Sequence, residues 1–444
     1  MKQGEEEAFS TDRQENEDMI SYQSHTYRLD NAATLFSLVS SSRIPCMFRL
    51  SASVDNPIKI HILQNALDNI IARFPYYRVN QRTGLFWYYW GTNFGKPKVI
   101  MDTQYPCQKM PIRKEGIFPF RVRAYQNRVA VEFHHSLTDA TGAITFLKSI
   151  MREYLRLDGT EVSEESDIFK PEDKPDLEEY EDAFKKNYRK IIPEPSKQIK
   201  AFHLPYKLSK KGVYRITSGI IPVDEILKKS KEYNITLTEY LTTIYLESLQ
   251  KILFSFSRRK QKRMKKPIRL MVPVNLRRMF PSRTMRNFSL YVTPGIDPRL
   301  GEHTFEEIIK GVHHYMRLEV NDKFISRQIK RNVRGELHPL IRATPLFIKK
   351  MSGKTIYNKL GENLYSGVIT NLGKINLPER MEEKIQDMQF IPAPSPTTKT
   401  GCAVVSFKEN LYVNFGSVTK ENTLERNFFR KLVKEGVAVK IETN

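Results

Sequence analysis

The chain has 444 residues, 40% of them hydrophobic by type, enough for one large core or two medium ones. No apolar run reaches the roughly 18 residues of a membrane-spanning helix, and the acidic, polar start lacks the apolar stretch of a secretory signal. The net charge of +22 is unevenly placed: residues 1–22 carry a net of −5 and residues 158–182 a net of −10, which leaves +37 on the rest and suits anionic partners.

Helix and strand signals alternate, which predicts a mixed α/β (α+β) architecture. Residues 1–22 read as a disordered acidic tail. A first lobe is expected over 23–157, with a strand at 45–54, a helix at 58–73, an aromatic strand at 86–91, a hairpin at 118–125 and 129–133, and a helical stripe from Ile144 to Tyr154. The acidic, proline-spotted stretch 158–195 reads as a linker, with helical character over 177–190, and 196–444 as a second lobe. There, Thr236 with Glu239 and Thr304 with Glu307 have the spacing of capping boxes, predicting helices over 236–254 and from 304 to about 323. Strands are expected at 269–274, 365–370, 401–407 and 411–415, and a closing helix at 423–433. The densest basic run, 258–269, carries eight cations in twelve residues, among them Arg258, Arg259, Lys260, Lys262 and Arg263. It reads equally as a surface for a charged donor and as a solvated loop.

The most informative stretch is HHSLTDATG, 134–142. Strand parity puts Val129, Val131, Phe133 and His135 on one face and Ala130, Glu132 and His134 on the other, so the two histidines point apart. That disfavours one metal held by His134, His135 and Asp139, and no metal site is expected. His135 continues an apolar face to the strand end, where desolvation favours the neutral, proton-accepting imidazole. Asp139, four residues on, is placed to cap the next helix, pair with an arginine or orient a histidine. Two structural histidines at a strand end are the bland alternative. His313-His314 makes an internal contrast: it falls mid-helix, with Leu318 where Asp139 would be, and reads as a helix surface.

These residues resemble the HHxxxDG signature shared by chloramphenicol acetyltransferase-like enzymes, condensation domains, wax-ester synthases and alcohol acetyltransferases. Three further segments agree in order: Pro273-Val-Asn-Leu-Arg277 followed by Arg286-Asn-Phe288, then Thr370-Asn-Leu-Gly373, then Asn414-Phe-Gly416. Together they span about residues 25–435, and the chain is most similar to the alcohol acetyltransferase branch. The resemblance implies two similar lobes, each a mixed sheet covered by helices, with a channel between them where donor and acceptor meet at the second histidine. Ala140 stands where the signature has glycine; Gly142 is placed to take over that role. Asn414 replaces an acid.

What the resemblance implies is transfer of an acyl group, acetyl in the alcohol acetyltransferase branch, from a thioester to an alcohol or amine, with His135 as general base and no covalent enzyme intermediate. Asp139 would hold an arginine, with Arg277 and Arg49 both open as partners. Thr370, Asn371 and Asn414 are the candidate oxyanion or channel residues. No permanent cofactor is expected; the co-substrate would be acyl-CoA or an acidic acyl carrier protein. An anionic membrane is a further peripheral partner that the charge suits, and nothing resembles a nucleic-acid-binding signature. Three scattered cysteines, Cys46, Cys107 and Cys402, without a CxxC pair suit a cytoplasmic setting. A carrier-dependent condensation enzyme and a non-catalytic protein of the same fold are the alternatives.

Overall fold

A computed structural model describes residues 26–163, 167–196 and 198–444; the expected tail, 1–22, lies outside them. Two large sheets organise the described residues. The five-stranded sheet runs in the order Ile385–Ile391, Met47–Val54, Arg128–His134, Phe120–Tyr125, Val99–Met101. The eight-stranded sheet runs Ser289–Val292, Ile268–Asn275, Gly367–Ile375, Thr400–Phe407, Asn410–Ser417, Arg215–Pro222, Lys440–Thr443, with Gly295–Ile296 also on Ile268–Asn275. Both are mixed: Gly367–Ile375 lies parallel to two neighbours, and Val99–Met101 is parallel to Phe120–Tyr125.

Period-two alternation explains how two cores share one strand. In Thr400–Phe407 every residue is buried. Ala403, Val405 and Phe407 face the first core with Phe133 and Phe146, whereas Cys402 and Val404 face the second with Tyr240 and Phe415. A strand covered on both faces has no polar side to show, as its near-continuous apolar sequence requires.

Both capping boxes form, Thr236 with Glu239 and Thr304 with Glu307. The second helix is shorter than its sequence predicts. It stops at Glu319, and Asn321 caps a new helix, Asp322–Leu337, accepting from Lys323 and Phe324 N–H. Within 158–195, Leu177–Tyr180 and Ala183–Lys186 are short helical turns, and Glu179 is buried against Arg73. The sheets do not divide as the expected lobe boundary does: Ile385–Ile391 lies within 196–444, yet it pairs antiparallel with Met47–Val54 of the first sheet. Its Ile385, Met388 and Phe390 are buried in the first core, which explains the crossing.

The basic run is not a loop. Arg258–Met264 is a helix with no buried residue.

Candidate active site

The strand Arg128–His134 ends at the first histidine, and His135 begins the turn into the helix Ala140–Leu157. His134 is fully buried, and both ring nitrogens are engaged: Nδ1 with Ser136 Oγ at 2.6 Å and Nε2 with Ser40 Oγ at 3.0 Å. Burial, aided by the neighbouring His135 and Arg113, depresses its pKa to about 3, so it is neutral at pH 7. With both ring nitrogens engaged by hydroxyls, neither is free for a metal.

His135 is different. It keeps partial exposure, stacks on Phe36 at a centroid distance of 4.5 Å and meets Phe48 at 4.9 Å. Its Nδ1 lies 3.1 Å from Asn287 Oδ1, a contact between residues 152 apart in sequence. A carbonyl oxygen only accepts, so Nδ1 carries the proton and the Nε2 lone pair is left available. Asp30 supports that amide orientation. Burial raises the pKa of Asp30 to about 6, and Arg286, 3.6 Å from its Oδ2, and a hydrogen bond from Asn287 work against that rise. The reverse orientation would bring two acceptors together. His135 Nε2 has no hydrogen-bond partner among the described residues. Burial lowers its pKa, against the pull of Asp139 and the Asn287 bond.

Asp139 caps the helix, accepting from Thr141 and Gly142 N–H. The same carboxylate meets Arg277 at 2.9 and 3.3 Å and accepts Phe288 N–H at 2.9 Å. Of the two expected arginines, Arg277 is the partner. Arg49 instead pairs with Asp102 and Glu132 on the other side of the strand. Arg277 also donates to the carbonyls of Thr284 and Arg286, which pins the segment carrying Asn287. Thr138 Oγ1 donates to Met285 O at 2.6 Å, and Asn275 Nδ2 to Thr141 Oγ1 at 3.2 Å. The histidine turn and residues 275–288 thus form one hydrogen-bonded seam between the sheets.

Gly142 is required by space and not by backbone angle. A Cβ there would sit 2.5 Å from Tyr77 OH and 2.6 Å from Met285 O, both part of the seam. Ala140 is simply the first helical residue, with no positive φ to favour glycine.

No hydrogen bond among the described residues joins the other candidates to His135. Asn371 Nδ2 donates to Thr238, and its Oδ1 accepts Gly373 N–H at a register shift in the strand. Asn414 is fully buried, and its Nδ2 donates to Phe390 O, tying the crossing strand to the second sheet. Thr370 lies in the same strand as Asn371, paired with Ala403, and its hydroxyl has no hydrogen-bond partner among the described residues. Arg258, Arg259, Lys260, Lys262 and Arg263 sit just before the strand Ile268–Asn275, whose far end leads to Arg277. Eight residues at about 3.3 Å each put them about 25 Å along the strand from the seam. Arg43, Lys210 and Lys211 line a separate cleft of about 40 Å³ with Cys107 and Tyr214. Arg43 is only three residues before Cys46, whose carbonyl accepts His135 N–H at 2.7 Å. The Cys46 thiol itself is buried against the Phe36 and Ile44 carbonyls, and burial pushes its pKa up, so it is no nucleophile for this site.

Asn287 is the site residue that sequence reasoning missed. Its signal was present in Arg286-Asn-Phe288, but nothing local shows that its amide faces a histidine.

No protein-family model matches the chain, and no curated protein matches it. Solved structures do. The trichothecene 15-O-acetyltransferase from Fusarium sporotrichioides is 10% identical with a TM-score of 0.59, over 93% of this chain and 94% of that one. The first condensation domain of the calcium-dependent antibiotic synthetase is 14% identical with a TM-score of 0.59, over 94% and 100%. The starter condensation domain of rhizomide synthetase, in complex with C8-CoA, is 13% identical with a TM-score of 0.57, over 91% and 93%. The chain therefore has the two-lobed fold of condensation domains and related acyltransferases.

Proposed function

We propose that the protein transfers an acyl group from a thioester, acyl-CoA in the first instance, to an alcohol, with His135 as general base. One observation carries the reading: His135 Nδ1 lies 3.1 Å from Asn287 Oδ1, an acceptor that favours the Nδ1–H tautomer and leaves Nε2 as an unpaired base on a partly exposed histidine. In the reaction, Nε2 takes the hydroxyl proton as the acceptor oxygen attacks the thioester carbonyl. The tetrahedral adduct collapses, the carbon–sulfur bond breaks, and the departing thiolate receives the proton from His135. Asp139 relays nothing in this scheme; with Arg277 it holds the turn that carries His135. Thr370 remains a candidate donor to the oxyanion. A fold shared with an O-acetyltransferase and with a domain that holds C8-CoA supports the donor class.

The condensation domains of the same fold favour a second reading, in which the donor is carried by an acidic protein and the product is an amide or ester. One experiment separates the readings. Free-thiol release is followed from acyl-CoAs of increasing chain length with a mixed alcohol and amine pool, beside the same acyl groups on a carrier protein. Release from acyl-CoA that needs an alcohol and disappears in His135→Ala supports acyl transfer. Release from the carrier alone moves the protein to the condensation reading, and no release from either leaves a binding protein of the same fold.

A further inference from the structure

Several strongly exposed apolar side chains lie close together around residues 340–351. Helix Pro339–Ala343 exposes Leu340 (74%), and helix Leu346–Leu360 exposes Phe347 (64%) and Met351 (80%), with Ile341 and Ile348 beside them. The turn between strands Val79–Thr83 and Tyr88–Thr92 joins this patch. Leu85 is 73% exposed, its carbonyl accepts Leu346 N–H at 2.9 Å, and Lys349 donates to Phe86 O. Lys349 also lies over the partly exposed ring of Trp87, 3.3 Å from its centroid.

The charge around the patch has one sign. Residues 338–351 contain Arg342, Lys349 and Lys350 and no acid, and 322–353 holds eight lysines and arginines against two acids. Arg342 and Lys350 make no ion pair among the described residues. Apolar side chains projecting from a short helix pair, an interfacial tryptophan and a cationic rim with free charge are the chemistry that an anionic bilayer surface complements. A protein partner would need an acidic rim around an apolar groove.

The patch is one helix away from His135. Gly353 of its longer helix packs against Leu38, where a Cβ would come within 3.2 Å of the Leu38 Cβ. Leu38 belongs to helix Asn31–Val39, which places Phe36 on the His135 ring.

We propose that this face docks the protein on anionic membranes and presents the His135 site to an apolar acceptor dissolved in the lipid. The acceptor class rests on the acyl-transfer reading; the docking does not. The two Trp residues make the test direct, because Trp90 is buried and Trp87 lies in the patch. Vesicles of phosphatidylcholine, alone or with about one third phosphatidylglycerol, are mixed with the full chain, and flotation and Trp fluorescence are read. Binding and a blue shift with the anionic vesicles are expected, weakened by salt. Leu340→Ser/Phe347→Ser/Met351→Ser should lower the partition about tenfold or more with an unchanged thermal midpoint and an unchanged rate on a water-soluble acceptor. The proposal is overturned if the wild type ignores both vesicles or if the triple variant binds as well as the wild type. It is also overturned if light scattering finds a dimer that the triple variant abolishes, since a second copy then covers the face. Vesicle binding without thiol release would sink the acyl-transfer reading and leave the docking intact.

Discussion

Arg277 reaches Asp139 across 138 residues of chain with two guanidinium nitrogens, at 2.9 and 3.3 Å, and so ties the helix that follows His135 to the second sheet. The pair is nearly buried on both sides. Asp139→Asn keeps the cap's size and removes its charge, so a loss of about 1–3 kcal/mol of stability is expected, with a fall in turnover. Arg277→Lys keeps the charge but not the planar fork and should lose most of the same stability. Denaturant unfolding of both variants checks this; an unchanged midpoint for Arg277→Lys would mean that the fork is not what holds the turn.

The two histidines should fail differently. His135→Ala is expected to lower turnover by about two to four powers of ten with little change in thermal midpoint. His134→Ala should lower the midpoint and leave much of the rate. The acid response separates them further. The folded pKa of His134, about 3, lies below its ordinary value of 6.5, so its contribution to stability is full above pH 6.5 and is lost as pH falls toward 3. The slope is about 1.4 kcal/mol per pH unit within that window. His134→Ala should therefore lose less stability on acidification than the wild type, and parallel curves would contradict the burial of a neutral ring.

Asn287 is expected to set the acid limb of the rate. Burial depresses the pKa of His135, so kcat/KM should begin to fall only below the ordinary histidine range. Asn287→Asp places an anion on Nδ1, favours imidazolium and should move the limb to higher pH. Asn287→Ala should lower turnover about tenfold or more and leave the limb low. Identical profiles for the two variants would reduce Asn287 to a packing residue.

Salt should raise the KM for the thioester if phosphates or an acidic carrier meet fixed cations. Arg43→Gln/Lys210→Gln/Lys211→Gln, around the cleft near Cys46, is expected to flatten that response. Neutralising Arg258, Arg259, Lys260, Lys262 and Arg263, on the helix that precedes the strand Ile268–Asn275 at its end away from Arg277, should leave it nearly intact. The reverse ranking, read from KM at low and high salt, would return the donor surface to the basic helix.

Sequence reasoning reached what is local. The turn after Arg128–His134 and the capping boxes at Thr236 and Thr304 depend on residues a few positions apart, and period and capping chemistry decide them. It did not reach the partners fixed by tertiary packing. Arg277 and Arg49 could not be separated as partners of Asp139, because only the fold puts one beside the turn and the other behind the strand. Ile385–Ile391 has polar residues at Gln386, Asp387 and Gln389, which weakened its signal, and its place in the first sheet follows from three buried apolar side chains. Helix Asn31–Val39 was overlooked although Asp30 caps it, since the stretch is short and its apolar side chains are divided between the cores and the His135 ring.

The crossing strand gives the chain an asymmetric dependence between its halves. Residues 26–157 made alone would lack Ile385–Ile391, and Met47–Val54 would become a sheet margin with unpaired amides and carbonyls along eight residues. Such a margin templates further strands, so that fragment is expected to self-associate rather than stay a soluble half-protein. Supplying the missing segment as a peptide, or as part of 196–444, would cap the margin, which makes this protein a natural candidate for reassembly from two polypeptides broken between the sheets.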